Sequence, residues 1–280
     1  MRVRCLLFVP ADRPDRMEKA LGSGADALIL DLEDAVALSA KPAARAATAD
    51  FLRRTQRTTT LFVRINPLGS GLEAADLQAV LPAKPNGIVL PKSEGADSVA
   101  ALAAMLAGQD DIPILPIATE TPAAIFGLGT YREVAPRLAG LTWGAEDLPA
   151  ALGAATSREA DGTFTAPYQL ARSLTLFAAH AAGVPAIETV FPAFRDLDGL
   201  AAYAARGRRD GFTGMMAIHP AQVPIINAAF TPTESEQAYA RAIVDAFAAN
   251  PDAGVLQLDG KMIDAPHLKQ ALTLLERARS

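Results

Sequence analysis

The sequence predicts an α/β fold, specifically a closed (β/α)8 barrel followed by a C-terminal helical and hairpin extension. Eight short apolar runs alternate with longer amphipathic runs, which is the pattern of consecutive βαβ units and of a parallel sheet. Charged residues recur at or just past the ends of these runs, where a barrel places its active site. A doubly wound open sheet is the alternative, but no Gly-x-Gly-x-x-Gly loop follows the first predicted strand.

Each predicted strand is a short, nearly continuous apolar run, which is typical of a strand that is buried on both faces. In chain order the predicted strands cover residues 6–10, 27–32, 61–66, 87–92, 113–120, 138–144, 186–191 and 214–219. The segments between them are amphipathic and rich in alanine, the residue with the highest helix propensity. They predict helices over residues 14–21, 42–54, 72–80, 96–106, 122–126, 168–182 and 196–208.

The chain continues for about sixty residues beyond the eighth predicted strand, which is more than a barrel needs. Thr233 and Glu236 have the spacing of a capping box and predict a helix over residues 233–249. An Asp-Gly pair within residues 255–264 predicts a hairpin, and a final helix is predicted over residues 266–279. We therefore predict a barrel over residues 1–220 and an extension over residues 221–280 that serves as a lid, an oligomer contact or both.

Composition limits the classes of function. Half of the 280 residues are apolar, which is ample for one large core, and the net charge of −5 argues against a broad nucleic-acid-binding surface. The single cysteine, Cys5, excludes an intrachain disulfide framework and a cysteine-rich zinc site. The apolar stretch near the N-terminus, residues 5–9, is too short for a secretory signal or a membrane span. We therefore expect a cytoplasmic protein that binds neither nucleic acid nor membrane.

Two acidic segments close the fifth and sixth predicted strands and carry Glu120 and Asp147. An unpaired carboxylate at the end of a buried strand is unfavourable for stability but well placed to hold a cation. Hard divalent ions such as Mg²⁺ take one or two carboxylates and leave the other positions to water and substrate. Glu120 and Asp147 are therefore the predicted metal ligands, and Glu146 is expected to point away from the metal.

A series of short motifs runs nearly end to end through the chain. They are Leu7-Phe8-Val9-Pro10, Asp31-Leu32-Glu33-Asp34-Ala35-Val36, Lys41-Pro42-Ala43-Ala44-Arg45, Val63-Arg64-Ile65-Asn66-Pro67, Leu90-Pro91-Lys92, Glu120-Thr121-Pro122, Gly144-Ala145-Glu146-Asp147-Leu148, Ile218-His219-Pro220-Ala221-Gln222 and Asp259-Gly260-Lys261-Met262-Ile263-Asp264. Taken in this order, they resemble the citrate lyase β-subunit-like family, also called the HpcH/HpaI aldolase or CoA-ester lyase family.

The resemblance implies a Mg²⁺-dependent carbon–carbon lyase, with Mn²⁺ as a substitute metal, that is a homotrimer or a dimer of trimers. Its substrate would be a 3-hydroxyacyl-CoA ester of the malyl-CoA, citramalyl-CoA or citryl-CoA type, cleaved to acetyl-CoA and an oxo acid. Arg64 is expected to bind a carboxylate or the developing enolate oxygen. Asp264 is expected to act as a general acid/base in a neighbouring subunit's site, or alternatively only to cap the last helix.

The resemblance also assigns supporting roles. Asp31, Glu33 and Asp34 are expected to hydrogen-bond metal-bound water, or to be ion-pair partners of Arg64 or Lys41. Lys92 could form a Schiff base, but nearby carboxylates would raise its pKa, so an ion pair is the expected role. Basic residues near the first predicted helix, together with a histidine after the last predicted strand, are candidate CoA contacts. These candidates are Arg4, Arg13, Arg16, Lys19 and His219.

Other activities remain open at this point. A malate or citramalate synthase, or a thioesterase, would use the same enolate chemistry, the same metal and Arg64. A non-catalytic subunit of a larger lyase complex is the third interpretation, and it would bind metal without turning over a CoA ester.

Overall fold

A computed structural model describes residues 3–56, 59–106 and 108–279. Its strands are β1 Cys5–Pro10, β2 Ala27–Asp31, β3 Thr60–Arg64, β4 Gly87–Leu90, β5 Ile114–Pro116, β6 Leu141–Thr142, β7 Ala186–Glu188 and β8 Gly214–Ala217. These eight strands pair in the order β5-β4-β3-β2-β1-β8-β7-β6, and every pairing between neighbours is parallel. Isolated parallel bridges, Ile114 to Leu138 and Ile117 to Thr142, join the two outer strands. The sheet therefore closes, and the predicted barrel is confirmed.

Helices connect the strands and cover the outside of the barrel. They are α1 Pro14–Leu21, α2 Lys41–Arg54, α3 Glu73–Val80, α4 Ala96–Met105, α5 Pro122–Gly127, α6 Asp147–Leu152, α7 Ala166–Ala182, α8 Leu197–Asp210 and α9 Val223–Ala229. The sequence did not predict α6 or α9, each of which is a short helix of six or seven residues. Most predicted strands also ran past their true carboxyl ends, because the residues beyond those ends are buried although they leave the sheet.

The interior of the barrel is filled by side chains from all around the sheet. Leu6, Ile29, Phe62 and Met216 belong to one continuous buried cluster. Phe62 needs a glycine beside it on the neighbouring strand, because a Cβ at Gly87 would lie 2.2 Å from its ring. The barrel is thus a packed core, in keeping with functional residues placed at the carboxyl ends of the strands.

The chain divides into two compact units, Val3–Asn227 and the segment from Ala228 onward. The first unit therefore extends seven residues past the predicted boundary at residue 220. The second contains α10 Glu234–Ala249, the hairpin strands β9 Val255–Leu258 and β10 Lys261–Asp264, and α11 Ala265–Arg279. Within the described parts of the chain, no helix is both long and apolar enough to cross a membrane.

The second unit has a small core of its own, built from α10, β10 and α11 around Ile243 and Ile263. The predicted capping box is present, because the Glu236 N–H donates to Thr233 Oγ1 and the Thr233 N–H donates to Glu236 Oε2. The predicted hairpin turns at Asp259 and Gly260, which both have positive φ, as a two-residue type I′ turn requires.

Candidate active site

A cavity of about 440 Å³ opens at the carboxyl ends of the barrel strands. Its lining combines acidic side chains, one arginine and an apolar wall. The lining residues are Phe8, Pro10, Asp31, Asp34, Ala35, Arg64, Ile117, Glu120, Gly144, Ala145, Glu146, Asp147, Thr189, Val190, Met216 and Ile218. Glu146 is among the lining residues, and the expectation that its side chain points away from the metal stays a prediction. Among the described lining residues the cavity thus combines one cationic side chain with acidic groups and apolar surface, which suits a small anionic ligand that binds together with a cation.

Arg64 lies at the end of β3 and is held in a fixed orientation by two carboxylates. Its Nε and Nη2 donate to the two oxygens of Asp31, each at 2.7 Å, which is a bidentate pair. Its Nη1 lies 2.7 Å from Glu33 Oε2, and the guanidinium stands 4.9 Å above the Phe8 ring centroid. Burial disfavours the charge, but the bonds to Asp31 and the nearby carboxylates outweigh it and raise the pKa of Arg64 further. Arg64 is therefore a permanently charged group with its plane already set.

The acidic segment after β2 supports this arginine. Asp31 also accepts hydrogen bonds from the Glu33 and Ala35 N–H groups, so its carboxylate organises the turn that follows it. Asp34 is different, because its side chain is 61% exposed and lies 4.0 Å from the arginine. Asp31 and Glu33 are thus the ion-pair partners of Arg64. Lys41 instead donates to the backbone carbonyls of Leu32 and Glu33.

Lys92 connects the acidic segment after β2 to the predicted metal ligands. Its ammonium lies 2.7 Å from Glu33 Oε1 and 3.3 Å from Asp147 Oδ1. Its backbone is left-handed, with φ of 50°, and its N–H donates to Glu120 Oε2 at 2.6 Å. Burial opposes the ammonium charge, but the hydrogen bond to Glu33 and the three surrounding carboxylates outweigh it and raise the pKa of Lys92. A lysine held this firmly in its charged form is a poor Schiff-base nucleophile.

Asp147 lies close enough to Glu120 to affect the ionisation of Glu120. Glu120 is buried, and burial together with the negative charge of Asp147 raises its pKa to about 8. Its side chain passes over the segment after β6, where a Cβ on Gly144 would lie only 2.4 Å from Glu120 Cγ. Gly144 thus leaves room for the Glu120 side chain.

This carboxylate pair fits a divalent cation. Lys92 contacts Asp147 through its ammonium and Glu120 only through its backbone N–H, so Glu120 has no direct cationic side-chain partner among the described contacts. Within the described residues, no group of three or more His, Cys, Asp or Glu side chains is placed to hold a metal. Two carboxylate ligands with the remaining positions left to water and substrate are what Mg²⁺ uses in such sites. A cation there would offset the repulsion that raises the pKa of Glu120.

Thr119 holds the two acidic segments in register. Its hydroxyl accepts a hydrogen bond from the Gly144 N–H at 3.1 Å and lies 3.4 Å from the Gly144 carbonyl oxygen, to which it donates. Just before it, the Ala118 N–H donates to the Thr142 carbonyl. The segments that carry Glu120 and Asp147 are therefore joined across β5 and β6 by a side chain as well as by the backbone.

The predicted CoA contacts are spread over both ends of the barrel. Arg4 precedes β1 and makes a bidentate pair with Asp26, which precedes β2, so it lies at the amino ends of the strands, away from the cavity. Arg13 lies just before α1, on the cavity side of the barrel, and its guanidinium is 3.6 Å from Asp15. Arg16 and Lys19 are exposed on α1. The structure therefore does not bring Arg4 together with the other candidates.

His219 follows β8 at the carboxyl edge of the barrel, and its exposed ring stacks on Phe194 with centroids 5.0 Å apart. Its Nδ1 accepts a hydrogen bond from the Ala221 N–H, which places it as the cap of the Pro220–Gln222 turn. This cap orients the ring toward Phe194, so the residue shapes the rim of the barrel.

Asp264 belongs to the second unit, where it ends β10 and precedes α11. Its Oδ1 lies 2.5 Å from His267 Nδ1, one helical turn along the chain. The Asp264 N–H also points at the same ring nitrogen, at 3.3 Å. The carboxylate is therefore held by the first turn of α11, and this structural role is compatible with a second role as an acid or base.

One buried polar cluster beside the cavity was not predicted from the sequence. Glu188 ends β7 with no exposed surface, and it accepts hydrogen bonds from Trp143 Nε1 at 2.5 Å, Tyr203 Oη at 2.9 Å and Arg172 Nε at 2.7 Å. Its partners come from three separate elements, so no local motif could reveal it. The signal that was available is an acidic residue inside a predicted strand, which needs a partner because a buried charge is costly alone.

Comparison with known proteins identifies the class. Residues 4–220 match the family model described as HpcH/HpaI aldolase/citrate lyase, and the chain therefore belongs to that family. The citrate lyase subunit beta-like protein of Mycobacterium tuberculosis is 38% identical over 272 residues, which cover 97% of this chain and 94% of the relative. The (3S)-malyl-CoA thioesterase of Cereibacter sphaeroides is 36% identical, with 99% and 95% covered.

A solved structure agrees with these relatives. Protein CitE from Mycobacterium tuberculosis, in complex with magnesium, acetoacetate and coenzyme A, has a TM-score of 0.85 and 36% identity to this chain. The match covers 100% of this chain and 99% of that one. The family resemblance seen in the sequence motifs is thereby confirmed.

Proposed function

We propose that this protein is a Mg²⁺-dependent carbon–carbon lyase that cleaves a 3-hydroxyacyl-CoA ester to acetyl-CoA and a 2-oxo acid. The observation that carries the proposal is the pair of carboxylates, Glu120 and Asp147, which face a cavity beside a fixed Arg64. A malyl-CoA or citramalyl-CoA type substrate is the leading candidate, with citryl-CoA as the third. A solved relative bound to magnesium, acetoacetate and coenzyme A supports this substrate class.

Glu120 and Asp147 would hold the cation, with Mn²⁺ able to replace Mg²⁺. When bound, the cation supplies Lewis-acid polarisation of the oxo-acid oxygens. Lys92 keeps both ligands in place, through its N–H to Glu120 and its ammonium beside Asp147. Asp31 and Glu33 hold the guanidinium of Arg64, and in this proposal they would also hydrogen-bond water on the cation. Asp34, which is more exposed, would contact the same water only from the cavity edge.

Arg64 would stabilise the negative charge that appears on the thioester oxygen as the carbon–carbon bond breaks. This charge moves toward a cation whose plane is already fixed, so little reorganisation is needed in the transition state. Asp264 would exchange the proton with the carbon that becomes the methyl group of acetyl-CoA, and it would do so in a neighbouring subunit of a homotrimer or dimer of trimers.

Arg13, Arg16, Lys19 and His219 remain candidate CoA contacts in this proposal, on the cavity side or outer face of the barrel. The proposal also keeps the expected cytoplasmic location.

A thioesterase activity is the second candidate, because a relative that is 36% identical over almost the whole chain is a (3S)-malyl-CoA thioesterase. Water would then attack the thioester carbon while the carbon–carbon bond stays intact, so that free CoA and the hydroxy acid are released instead of acetyl-CoA and an oxo acid.

The decisive experiment incubates the purified protein with Mg²⁺ and, separately, malyl-CoA, citramalyl-CoA and citryl-CoA, and separates the products by chromatography. Acetyl-CoA with an equal amount of oxo acid supports the lyase, whereas free CoA with the intact hydroxy acid supports the thioesterase. Metal binding without turnover of any of the three esters contradicts both activities and indicates a non-catalytic subunit.

A further inference from the structure

Thr189 is a buried residue with an unused hydroxyl. It follows β7 directly, is 1% exposed and lines the cavity that contains Arg64, Glu120 and Asp147. Its Oγ1 has no hydrogen-bond partner among the residues that the structure describes. A buried polar atom without a partner is unfavourable and uncommon, so this one calls for an explanation.

The position of Thr189 is fixed by the structure behind it. Its N–H donates to Glu188 Oε1 at 3.0 Å, and Glu188 is itself held by Trp143, Tyr203 and Arg172. The backbone that carries the hydroxyl is thus anchored to a buried ion pair. Such an arrangement is typical of a group that is placed in advance for a ligand.

The chemistry of the cavity shows what kind of ligand would use this hydroxyl. Five of the other side chains that line it are carboxylates, which in ionised form only accept hydrogen bonds. They are Asp31, Asp34, Glu120, Glu146 and Asp147. With these carboxylates ionised around a bound cation, the described lining side chains able to donate to an anion are Arg64 and Thr189. Arg64 already contacts Asp31 and Glu33, whereas the Thr189 hydroxyl is uncommitted.

We propose that the Thr189 hydroxyl donates a hydrogen bond to an oxygen of the 2-oxo acid, and so positions that half of the substrate at the cation site. This inference rests on the proposed function. It adds a substrate-positioning residue directly after β7 to the site residues at or after the ends of β2 to β6. None of the sequence motifs contains this residue. The neighbouring lining residues Val190 and Met216 are apolar, so Thr189 is the polar residue among these three, and a rotation about its Cα–Cβ bond is the motion that would turn its buried hydroxyl toward a bound ligand.

The test compares two variants that lack the hydroxyl, Thr189→Val and Thr189→Ala, with Thr189→Ser, which keeps it. Pyruvate is titrated into each Mg²⁺-loaded protein and its dissociation constant is measured by calorimetry. We expect binding to weaken roughly 10- to 100-fold in the valine and alanine variants, as for loss of a hydrogen bond to a charged group, and to change little in the serine variant. Titration with Mg²⁺ alone is the control, and it should be the same in all four proteins because Thr189 is not a predicted ligand.

A second measurement separates this role from a structural one. Valine has the shape of threonine and removes an unpartnered hydroxyl, so the metal-free Thr189→Val protein should unfold at a temperature equal to or above that of the wild type. Pyruvate affinity that stays at the wild-type value in either hydroxyl-free variant overturns the inference and leaves the proposed function intact. A wild-type protein that binds none of pyruvate, glyoxylate and oxaloacetate in the presence of Mg²⁺ overturns both.

Discussion

Replacing Glu120 with glutamine gives a direct test of the carboxylate pair. The side chain is buried beside Asp147, and its carboxylate accepts a hydrogen bond from the Lys92 N–H. Glutamine has nearly the same shape and can still accept that hydrogen bond through its amide oxygen. The substitution therefore removes one negative charge from the pair and leaves the packing almost unchanged.

The expected change in the free energy of unfolding follows from the pKa of Glu120, which is raised from 4.5 to about 8 by burial and by Asp147. Because the folded protein favours the neutral form, this group stabilises the fold below about pH 4.5, and that contribution is lost as the pH rises toward 8. The two pKa values differ by about 3.5 pH units, and each unit corresponds to about 1.36 kcal/mol. The free energy of unfolding therefore falls by at most about 5 kcal/mol across this pH range. Glutamine stays neutral, so metal-free Glu120→Gln should match the wild type near pH 5 and exceed it by a few kcal/mol at pH 8.5.

The assay is urea unfolding in the presence of EDTA at several pH values, followed by the same series with Mg²⁺. Added Mg²⁺ should stabilise the wild type and have little effect on the variant, since a neutral amide is a poorer ligand for a hard cation. Turnover should be lost in the variant. Equal pH dependence of stability in the two metal-free proteins would refute the argument from charge repulsion, and a variant with Mg²⁺-dependent turnover would refute the ligand assignment.

Three further predictions concern neighbouring residues. Borohydride added with pyruvate should leave Lys92 unlabelled and the enzyme active, because its ammonium is held in its charged form; a mass increase on Lys92 would show that this is wrong. Asp264→Asn should slow turnover by about 10²–10⁴-fold while pyruvate still binds with Mg²⁺. Mixed oligomers of Asp264→Asn and Glu120→Gln subunits should regain activity, because one complete site can be built from two different chains. If mixed oligomers verified by mass spectrometry regain no activity, Asp264 acts in the site of its own subunit or only caps the helix. Gly144→Ala should weaken Mg²⁺ binding, because the new Cβ would lie 2.4 Å from Glu120 Cγ. Gly129→Ala is the control, because a Cβ there meets nothing within 4 Å and, as at Gly144, φ is not positive. Unchanged Mg²⁺ affinity in Gly144→Ala would contradict this steric role.

The order of elements in this fold could be predicted because each barrel strand is a local apolar run. The ends of the strands could not be, because apolarity reports burial and not hydrogen bonding. Ile117 and Ala118 are buried and continue the apolar run of β5, yet the strand ends at Pro116. The short helix α6 was missed for a related reason, since it begins at Asp147, inside a segment that the sequence marks by its acidic residues.

The site shows the same division between local and distant information. Arg64, Lys92 and Glu120 follow strands, and the carboxyl ends of parallel strands meet at one edge, so the sequence was enough to group them. Arg4 precedes its strand, and that position alone places it at the opposite edge, where it pairs with Asp26. Thr189 could not be predicted, because its unused hydroxyl is defined only by what surrounds it in the folded chain.

The closure of the barrel has a mechanical consequence. Between β5 and β6, isolated bridges and the Thr119 hydroxyl take the place of the continuous ladder found between β1 and β2. Glu120 and Asp147 lie on opposite sides of this seam. An ion shared by the two carboxylates would therefore act as a cross-link at a junction of the barrel that lacks a continuous ladder, and opening of the seam and release of the ion would be thermodynamically linked.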